Sequence, residues 1–378
     1  MAKLLMITGL GSAIDLASGK KGAFYNTLEE FSKYWDRIDI ICPRIDNCKI
    51  ENSLKIDNCK LKIFDNVYIH ISPWPLIFHP FWFLKKGMQI YKEQKFDLMT
   101  AHDFPPFYNG IGARLLWWKI RVPYVLEIHH IPGYPKGASF KESIYRNLMR
   151  WFIRFDSSMA IAVRVVNQIQ VPEFIIQSGV SRGKIVYIPS MYIDLDIFKP
   201  MDLIKEYDII FVGRLVENKG VELLIEASRK LKEFKIIIVG KGEKKIEQNM
   251  RSKIKKWGLN IIFHGYAKDS EEIAKLLNES KMLVMPSYNE GGPRVVLEAM
   301  ACGVPVLATN IGLIPDFVDK NAIKIIDWNA EDIAQKIKEL LKNEEERKRL
   351  SRAGLEIAKQ FEKKEAIKNY ADKLKQLI

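Results

Sequence analysis

Two stretches of this 378-residue chain hold side chains whose types and spacing suit phosphate and sugar chemistry. The first is Val212-Gly213-Arg214-Leu215-Val216-Glu217-Asn218-Lys219-Gly220, which follows an apolar strand candidate and opens a helix candidate. Glycine lets backbone amides approach a ligand, and a helix N-terminus favours anions. Arg214 and Lys219 add two cations, enough to meet a diphosphate. An ordinary strand-to-helix turn with solvated basic side chains would read the same way, and spacing alone leaves both open. The second stretch runs Pro286-Ser287-Tyr288-Asn289-Glu290-Gly291-Gly292-Pro293-Arg294-Val295-Val296-Leu297-Glu298-Ala299-Met300-Ala301-Cys302-Gly303. Pro293 suits a first helical turn, so the amides of Gly291 and Gly292 would face an anion there. Glu290 and Glu298 stand eight residues apart, just over two helical turns, and both can look into one cleft. Carboxylates accept bidentately from sugar or ribose hydroxyls. Taken alone, the two glutamates read equally well as helix N-terminal charge and a solvated side chain.

The elements that must position these loops come in two series. Short β-branched runs at 4–7, 38–42, 67–71, 98–101, 124–128, 159–163 and 185–188 alternate with amphipathic stretches such as 23–35, 107–119 and 140–152. The pattern restarts at 209–212, 236–239, 261–264, 283–285, 304–308 and 322–326. Runs that are apolar throughout mark strands covered on both faces, hence parallel sheets of α/β type. The spacing predicts two doubly wound Rossmann-like domains, 1–195 and 196–358, with the linker in the aperiodic stretch 189–207. A last helix, 359–378, with Ala366, Tyr370 and Leu374 on one stripe, is expected to pack back toward the first domain. Parallel sheets bind ligands at the carboxyl ends of their strands, so two facing sheets imply one interdomain cleft.

Composition narrows the class. Hydrophobic residues make up 48% and charged residues 28%, which excludes a disordered, collagenous or disulfide-stapled chain. The four cysteines form no C-x-x-C pair and fit reduced thiols in a cytoplasmic setting. No run reaches the roughly 18 apolar residues of a membrane span. The net charge of +13 divides as +8 over residues 1–195 and +5 over 196–378, and such a surface attracts phosphates of any origin. A dinucleotide fingerprint is missing, because Gly9-Leu10-Gly11-Ser12-Ala13-Ile14 lacks its third glycine.

The joint order of the loop at 213–220, a glycine turn at Ile238-Val239-Gly240-Lys241-Gly242, and the E-G-G-P…E-A-M-A-x-G block closely resembles the retaining glycosyltransferases of family 4, which have the GT-B fold. The resemblance is specific over 208–316 and looser over 1–195. It implies that Arg214 and Lys219 neutralise a donor diphosphate and that Glu298 accepts from the ribose hydroxyls. It further implies that Glu290 holds the donor sugar, with Gly213, Gly291, Gly292 and Pro293 around sugar and phosphate. Gly240 and Tyr266 are expected near the base. In the first domain Gly22 matches the second glycine of the family's Gly-Gly loop, with Lys21 replacing the first. His129 matches a histidine beside the transferred sugar, while His102 and Asp103 are expected on the acceptor side. The resemblance gives His130 no role, and His70 and His79 read as structural. The chain departs from the family at Pro189-Ser190-Met191-Tyr192-Ile193-Asp194, where Asn-Gly is usual, and at Asp316, where Glu is common.

The resemblance implies front-face transfer of a hexose from a UDP- or GDP-sugar, with the leaving diphosphate taking the acceptor's proton and with no metal or other cofactor. The acceptor is expected to be a glycan or a lipid-linked glycan, and nucleic acid is not an expected partner. Residues 74–86 and 145–154 combine bulky apolar groups with bases. They read either as a peripheral face for an anionic membrane or as core aromatics with a solvated rim. Two other classes compete: a sugar-nucleotide epimerase of GT-B shape, and a nonenzymatic carbohydrate- or nucleic-acid-binding protein.

Overall fold

The computed structural model describes residues 2–9, 16, 22–44, 55–57, 60–318 and 320–378. The first series of apolar runs forms β1 (Lys3–Ile7), β2 (Arg37–Cys42), β3 (Lys55–Asp57), β4 (Lys60–Lys62), β5 (Val67–Ile71), β6 (Leu98–His102), β7 (Tyr124–Ile128), β8 (Ala162–Val165) and β9 (Ile185–Tyr187). They make one sheet of order β3-β4-β5-β2-β1-β6-β7-β8-β9, parallel from β5 to β9. The antiparallel edge hairpin β3–β4 has no counterpart in the predicted strands. Its three-residue strands alternate lysine with single apolar residues, too short a pattern to carry a periodicity signal.

The second series gives β10 (Ile209–Val212), β11 (Ile236–Val239), β12 (Ile261–Gly265), β13 (Leu283–Met285), β14 (Val306–Thr309) and β15 (Ile323–Ile326), all parallel in the order β12-β11-β10-β13-β14-β15. This reversal of order on either side of β10 is the doubly wound pattern, and it opens a crevice at the carboxyl ends of β10 and β13. Each sheet is buried on both faces. Leu5, Tyr124 and Val163 pack on one side of the first sheet and Leu4, Ile38 and Val125 on the other. Ile210 and Leu283 face one side of the second, with Ile209 and Val284 opposite.

The chain crosses between the sheets twice, and the two crossings are stitched together. Ile193 donates its amide to the Phe361 carbonyl at 2.7 Å, and the Lys363 amide returns to the Ile193 carbonyl at 3.0 Å. This backbone pairing interrupts the helix expected from 359 onward, so the last helix begins at Lys363 and runs to Lys375. Its Ile367, Tyr370, Ala371 and Leu374 are buried in the first sheet's core, where Tyr370 stacks on Phe31 with ring centroids 4.7 Å apart.

Candidate functional site

The second domain's three glycine turns meet at one end of its sheet. After β10 the chain makes a tight turn, Glu217–Lys219, and Gly220 at φ +65° starts the helix Val221–Ala227. A Cβ on Gly220 would collide with the Pro286 carbonyl oxygen, so only glycine lets this turn lie on the segment after β13. Gly240, at φ +148°, lies likewise against the Gly213 carbonyl, which places the ends of β10 and β11 in backbone contact. Tyr266, just past β12, is largely exposed beside them.

Lys219 Nζ pairs with Glu290 Oε1, which also accepts from the Ser287 hydroxyl at 3.2 Å. Arg214 is exposed, and its guanidinium has no hydrogen-bond or ion-pair partner among the described residues. Pro293 caps the helix Arg294–Ala301, which carries Glu298 buried on its inner face. Burial pushes the Glu298 carboxyl up to about 7, an effect that the Arg294 charge opposes.

In the first domain, β7 leads into His129 and His130. The His129 ring stacks on His102 with centroids 4.2 Å apart. Burial above all, then the neighbouring His102 and Arg164, hold His129 well below its ordinary value, so it is neutral at physiological pH. Its Nε2 is buried without a hydrogen-bond partner among the described residues. Gly22 precedes the helix Ala23–Phe31 and accepts from the Asn26 amide through its carbonyl. Lys21 lies outside the described residues.

A cavity of about 230 Å³ opens here between the strand ends, the helix Ala23–Phe31 and the final helix. His102, His129, Glu127 and Arg164 form its first-domain polar wall, Tyr370 reaches it from the final helix, and Arg294 enters from the second domain. Asp103 does not line it. Its carboxyl turns under the helix Tyr108–Ile120, where Oδ1 accepts from the Gly110 amide at 3.2 Å. There it faces Asp156, and burial holds both carboxyls far above the usual range, with the charge of Asp103 adding to the shift on Asp156. Asp103 thus lies in the interior, while His102 lines the cavity.

The two domains touch through the E-G-G loop. His130 Nε2 lies 2.9 Å from Asn289 Oδ1, and Asn289 Nδ2 donates to Glu142 Oε2 at 2.9 Å and to the Lys136 carbonyl at 3.1 Å. A Cβ on Gly291 would strike the His129 carbonyl oxygen. Asp316 Oδ2 accepts from the Gln168 amide across the same gap at 2.8 Å. At the variant linker, Met191 fills the space beside Gly292.

Sequence reasoning passed over Asn289, Glu127, Arg164, Arg294 and Tyr370. Glu127 Oε1 accepts from Arg164 at 2.8 Å and from the Tyr370 hydroxyl at 2.6 Å, and its Oε2 is 3.8 Å from His129 Nε2. A signal did exist. Glu127 and Arg164 are charged residues inside fully covered strands, an arrangement that requires a buried partner.

The structure has two parallel α/β sheets, and the glycine loops of the second domain meet the His129–His130 turn of the first. Residues 196–356 match the model of glycosyl transferases group 1, and residues 70–190 match that of a glycosyl transferase 4-like domain. An uncharacterized glycosyltransferase of Methanocaldococcus jannaschii is 29% identical over 82% of this chain and 84% of its own. A Campylobacter jejuni α-1,4-N-acetyl-D-galactosaminyltransferase, whose name specifies an undecaprenol-diphosphate-linked acceptor, is 25% identical over 83% and 82%. The fold is similar to that of sucrose-phosphate synthase from Thermosynechococcus elongatus, with a TM-score of 0.80, 17% identity, and coverage of 100% and 99%. Anabaena HepE in complex with UDP-glucose gives a TM-score of 0.73 at 19% identity, covering all of both chains. The chain belongs to the group 1 glycosyltransferases and has the GT-B fold. It is an enzyme that transfers sugar from a nucleotide sugar.

Proposed function

We propose that the chain moves a hexose from a UDP- or GDP-sugar to a hydroxyl of a glycan or lipid-linked glycan, with retention at the anomeric carbon. The observation that carries this is the arrangement of Arg214, Lys219 and Glu290. The exposed Arg214 and an ammonium held by Glu290 lie on the loops at the N-terminus of a helix whose Glu298 is buried about one turn on. In this reading the diphosphate binds Arg214, Lys219 and the Gly291 and Gly292 amides, with Gly213 and Pro293 beside it. Glu298 takes the ribose hydroxyls, and the base lies near Gly240 and Tyr266. UDP is favoured because HepE is described with UDP-glucose bound.

Glu290 releases Lys219 to the incoming phosphate and accepts from sugar hydroxyls. The unpartnered Nε2 of neutral His129 meets a hydroxyl of the transferred hexose, while the acceptor enters the cavity beside His102. The acceptor oxygen attacks the anomeric carbon on the face from which the diphosphate departs. The carbon–oxygen bond to phosphate breaks with its electron pair on the phosphate, which then takes the acceptor's proton. Stabilising that developing charge is the protein's main contribution, since preorganised donors in a dry site cost no reorganisation. A lipid-linked acceptor is supported by the Campylobacter relative's named substrate.

Calorimetry with UDP-, GDP- and ADP-sugars tests the reading, comparing wild type with Glu298→Ala. Binding of one nucleotide class, weakened in the variant, supports it. Failure of any sugar nucleotide to bind the intact protein removes it.

A further inference from the structure

The helix Phe140–Ser157 packs Met149 and Ile153 inward, but its outer side is not the polar face expected of a surface helix. Phe140 is 82% exposed, Ile144 45%, Leu148 42%, Trp151 80% and Phe155 50%. Their numbers step by four, four, three and four, so they form one continuous apolar stripe along a helix about 27 Å long. Isolated exposed apolar residues are ordinary, whereas a stripe with two nearly bare aromatics is not. Residue 152, which the sequence groups with Trp151, belongs elsewhere: Phe152 packs on Phe107.

The stripe is flanked by cations. Lys141, Arg150 and Arg154 on the helix have no ion-pair partner among the described residues, whereas Arg114 on the neighbouring helix Tyr108–Ile120 donates to the Phe155 carbonyl and the Ser158 hydroxyl. Arg114 lies over the Phe155 ring at 3.9 Å, and Trp118, one turn further along its own helix, is 58% exposed. The helix Tyr108–Ile120 contains no acidic residue at all. The acids of the helix Phe140–Ser157 are withdrawn, since Glu142 is held by Asn289 and the Ala138 amide and Asp156 is buried.

We propose that this face docks the first domain on an anionic phospholipid bilayer. The aromatic and aliphatic side chains enter the region below the headgroups while Arg150, Arg154 and Lys141 pair with lipid phosphates. An apolar stripe bordered by bases is the form in which an interfacial helix binds, by buried area plus attraction to anionic lipid. Charge complementarity selects this occupant over a second copy of the chain, because two such faces would bring like charges together. The placement also serves the site. The first turn of the same helix carries Glu142, whose carboxylate accepts from Asn289, the residue before Glu290. A bilayer under the stripe therefore lies beside the cleft, where an acceptor anchored in that bilayer can present its sugar.

Co-sedimentation with vesicles of phosphatidylglycerol and phosphatidylcholine, against vesicles of phosphatidylcholine alone, tests the proposal. The full-length protein should bind the anionic vesicles and lose most of that binding in high salt. Trp151→Asp with Phe155→Asp should lower the bound fraction about tenfold or more, and Arg150→Glu with Arg154→Glu should do the same. UDP binding by calorimetry should be unchanged in both variants, which shows that they fold and separates this test from that of the donor site. Wild-type protein that stays in the supernatant overturns the proposal, as does vesicle binding indifferent to both variants. A dimer in solution that Trp151→Asp dissociates, without vesicle binding, assigns the face to a second copy instead.

Discussion

Asn289 and His130 make one of the hydrogen bonds that join the two domains, with Asn289 Oδ1 2.9 Å from His130 Nε2. Because Asn289 also donates to Glu142 and to the Lys136 carbonyl, it ties Glu290, the next residue, to the first domain at three points. Burial keeps His130 below its usual value, so the ring donates through Nε2 as a neutral imidazole. Asn289→Ala leaves the His130 ring short of a partner and takes one of two donors from the half-buried Glu142 Oε2, at a cost of about 1–3 kcal/mol. The expected outcome is a fall in kcat with little change in donor Kd, since the donor loops sit within the second domain. Calorimetry and turnover measured together check it; a weakened donor Kd with unchanged kcat would contradict it.

In the proposed mechanism Lys219, which pairs with Glu290 before the donor binds, supplies positive charge to the leaving diphosphate. Lys219→Ala should remove about 2–4 kcal/mol of transition-state stabilisation, the range for one preorganised donor at an anionic centre. That is a loss of about 30- to 900-fold in kcat/KM. Near-normal turnover in the variant would take Lys219 out of the mechanism.

In the proposed donor site, Glu298 is the group expected to set the pH dependence. Its carboxyl is raised to about 7, so below neutrality it is protonated and loses acceptor capacity for a ribose diol. UDP affinity should therefore rise as pH climbs through 7. Glu298→Gln should bind more weakly at pH 8 and show a flatter profile, with any slope left belonging to the phosphate. The comparison of the two profiles is the measurement, and parallel curves would exclude Glu298 from the nucleotide.

The contrast between the legible and illegible parts of this site follows from where each contact is made. Arg214, Lys219, Glu290 and Glu298 lie in loops whose order along one sheet is local in sequence, so strand-loop-helix reading reaches them. Asn289, Glu127 and Tyr370 act through partners 159, 37 and 243 residues away. No periodicity encodes such pairings; what remained visible was a charge inside a covered strand. Asp103 shows what such a reading leaves open. A polar residue after a strand at the cleft end satisfies the pattern, yet a side chain can turn inward, and the helix Tyr108–Ile120 with Gly110 offers it an amide there.

That inward turn has a consequence for stability. Asp103 and Asp156 are both buried, and both are held above the ordinary carboxylate value near 3.9. The folded protein therefore binds more protons than the unfolded chain above about pH 4, and its stability falls as pH rises from there through neutrality. Asp156→Asn removes one of the two ionisations and the repulsion between them. Melting temperature against pH should decline less steeply in the variant, with the gain over wild type largest on the alkaline side. Equal slopes would show that the pair does not titrate across that range.

Gly291 tests whether the contact between the domains is needed for catalysis. Its α-carbon lies so close to the His129 carbonyl that a methyl group cannot be accommodated without moving the domains apart. Each domain has its own buried core on both sheet faces, so Gly291→Ala should leave the melting temperature close to wild type. Donor binding should weaken modestly, because the Gly291 amide remains in place. Turnover should fall by about 100-fold, the loss that follows when reacting groups are misplaced by roughly 1 Å. Glycine is required here for a close approach and not for an unusual backbone angle, so the smaller effect on folding distinguishes the two causes. If Gly291→Ala unfolds the protein, the contact is structural; if it turns over normally, the reaction proceeds with the cleft wider than it stands.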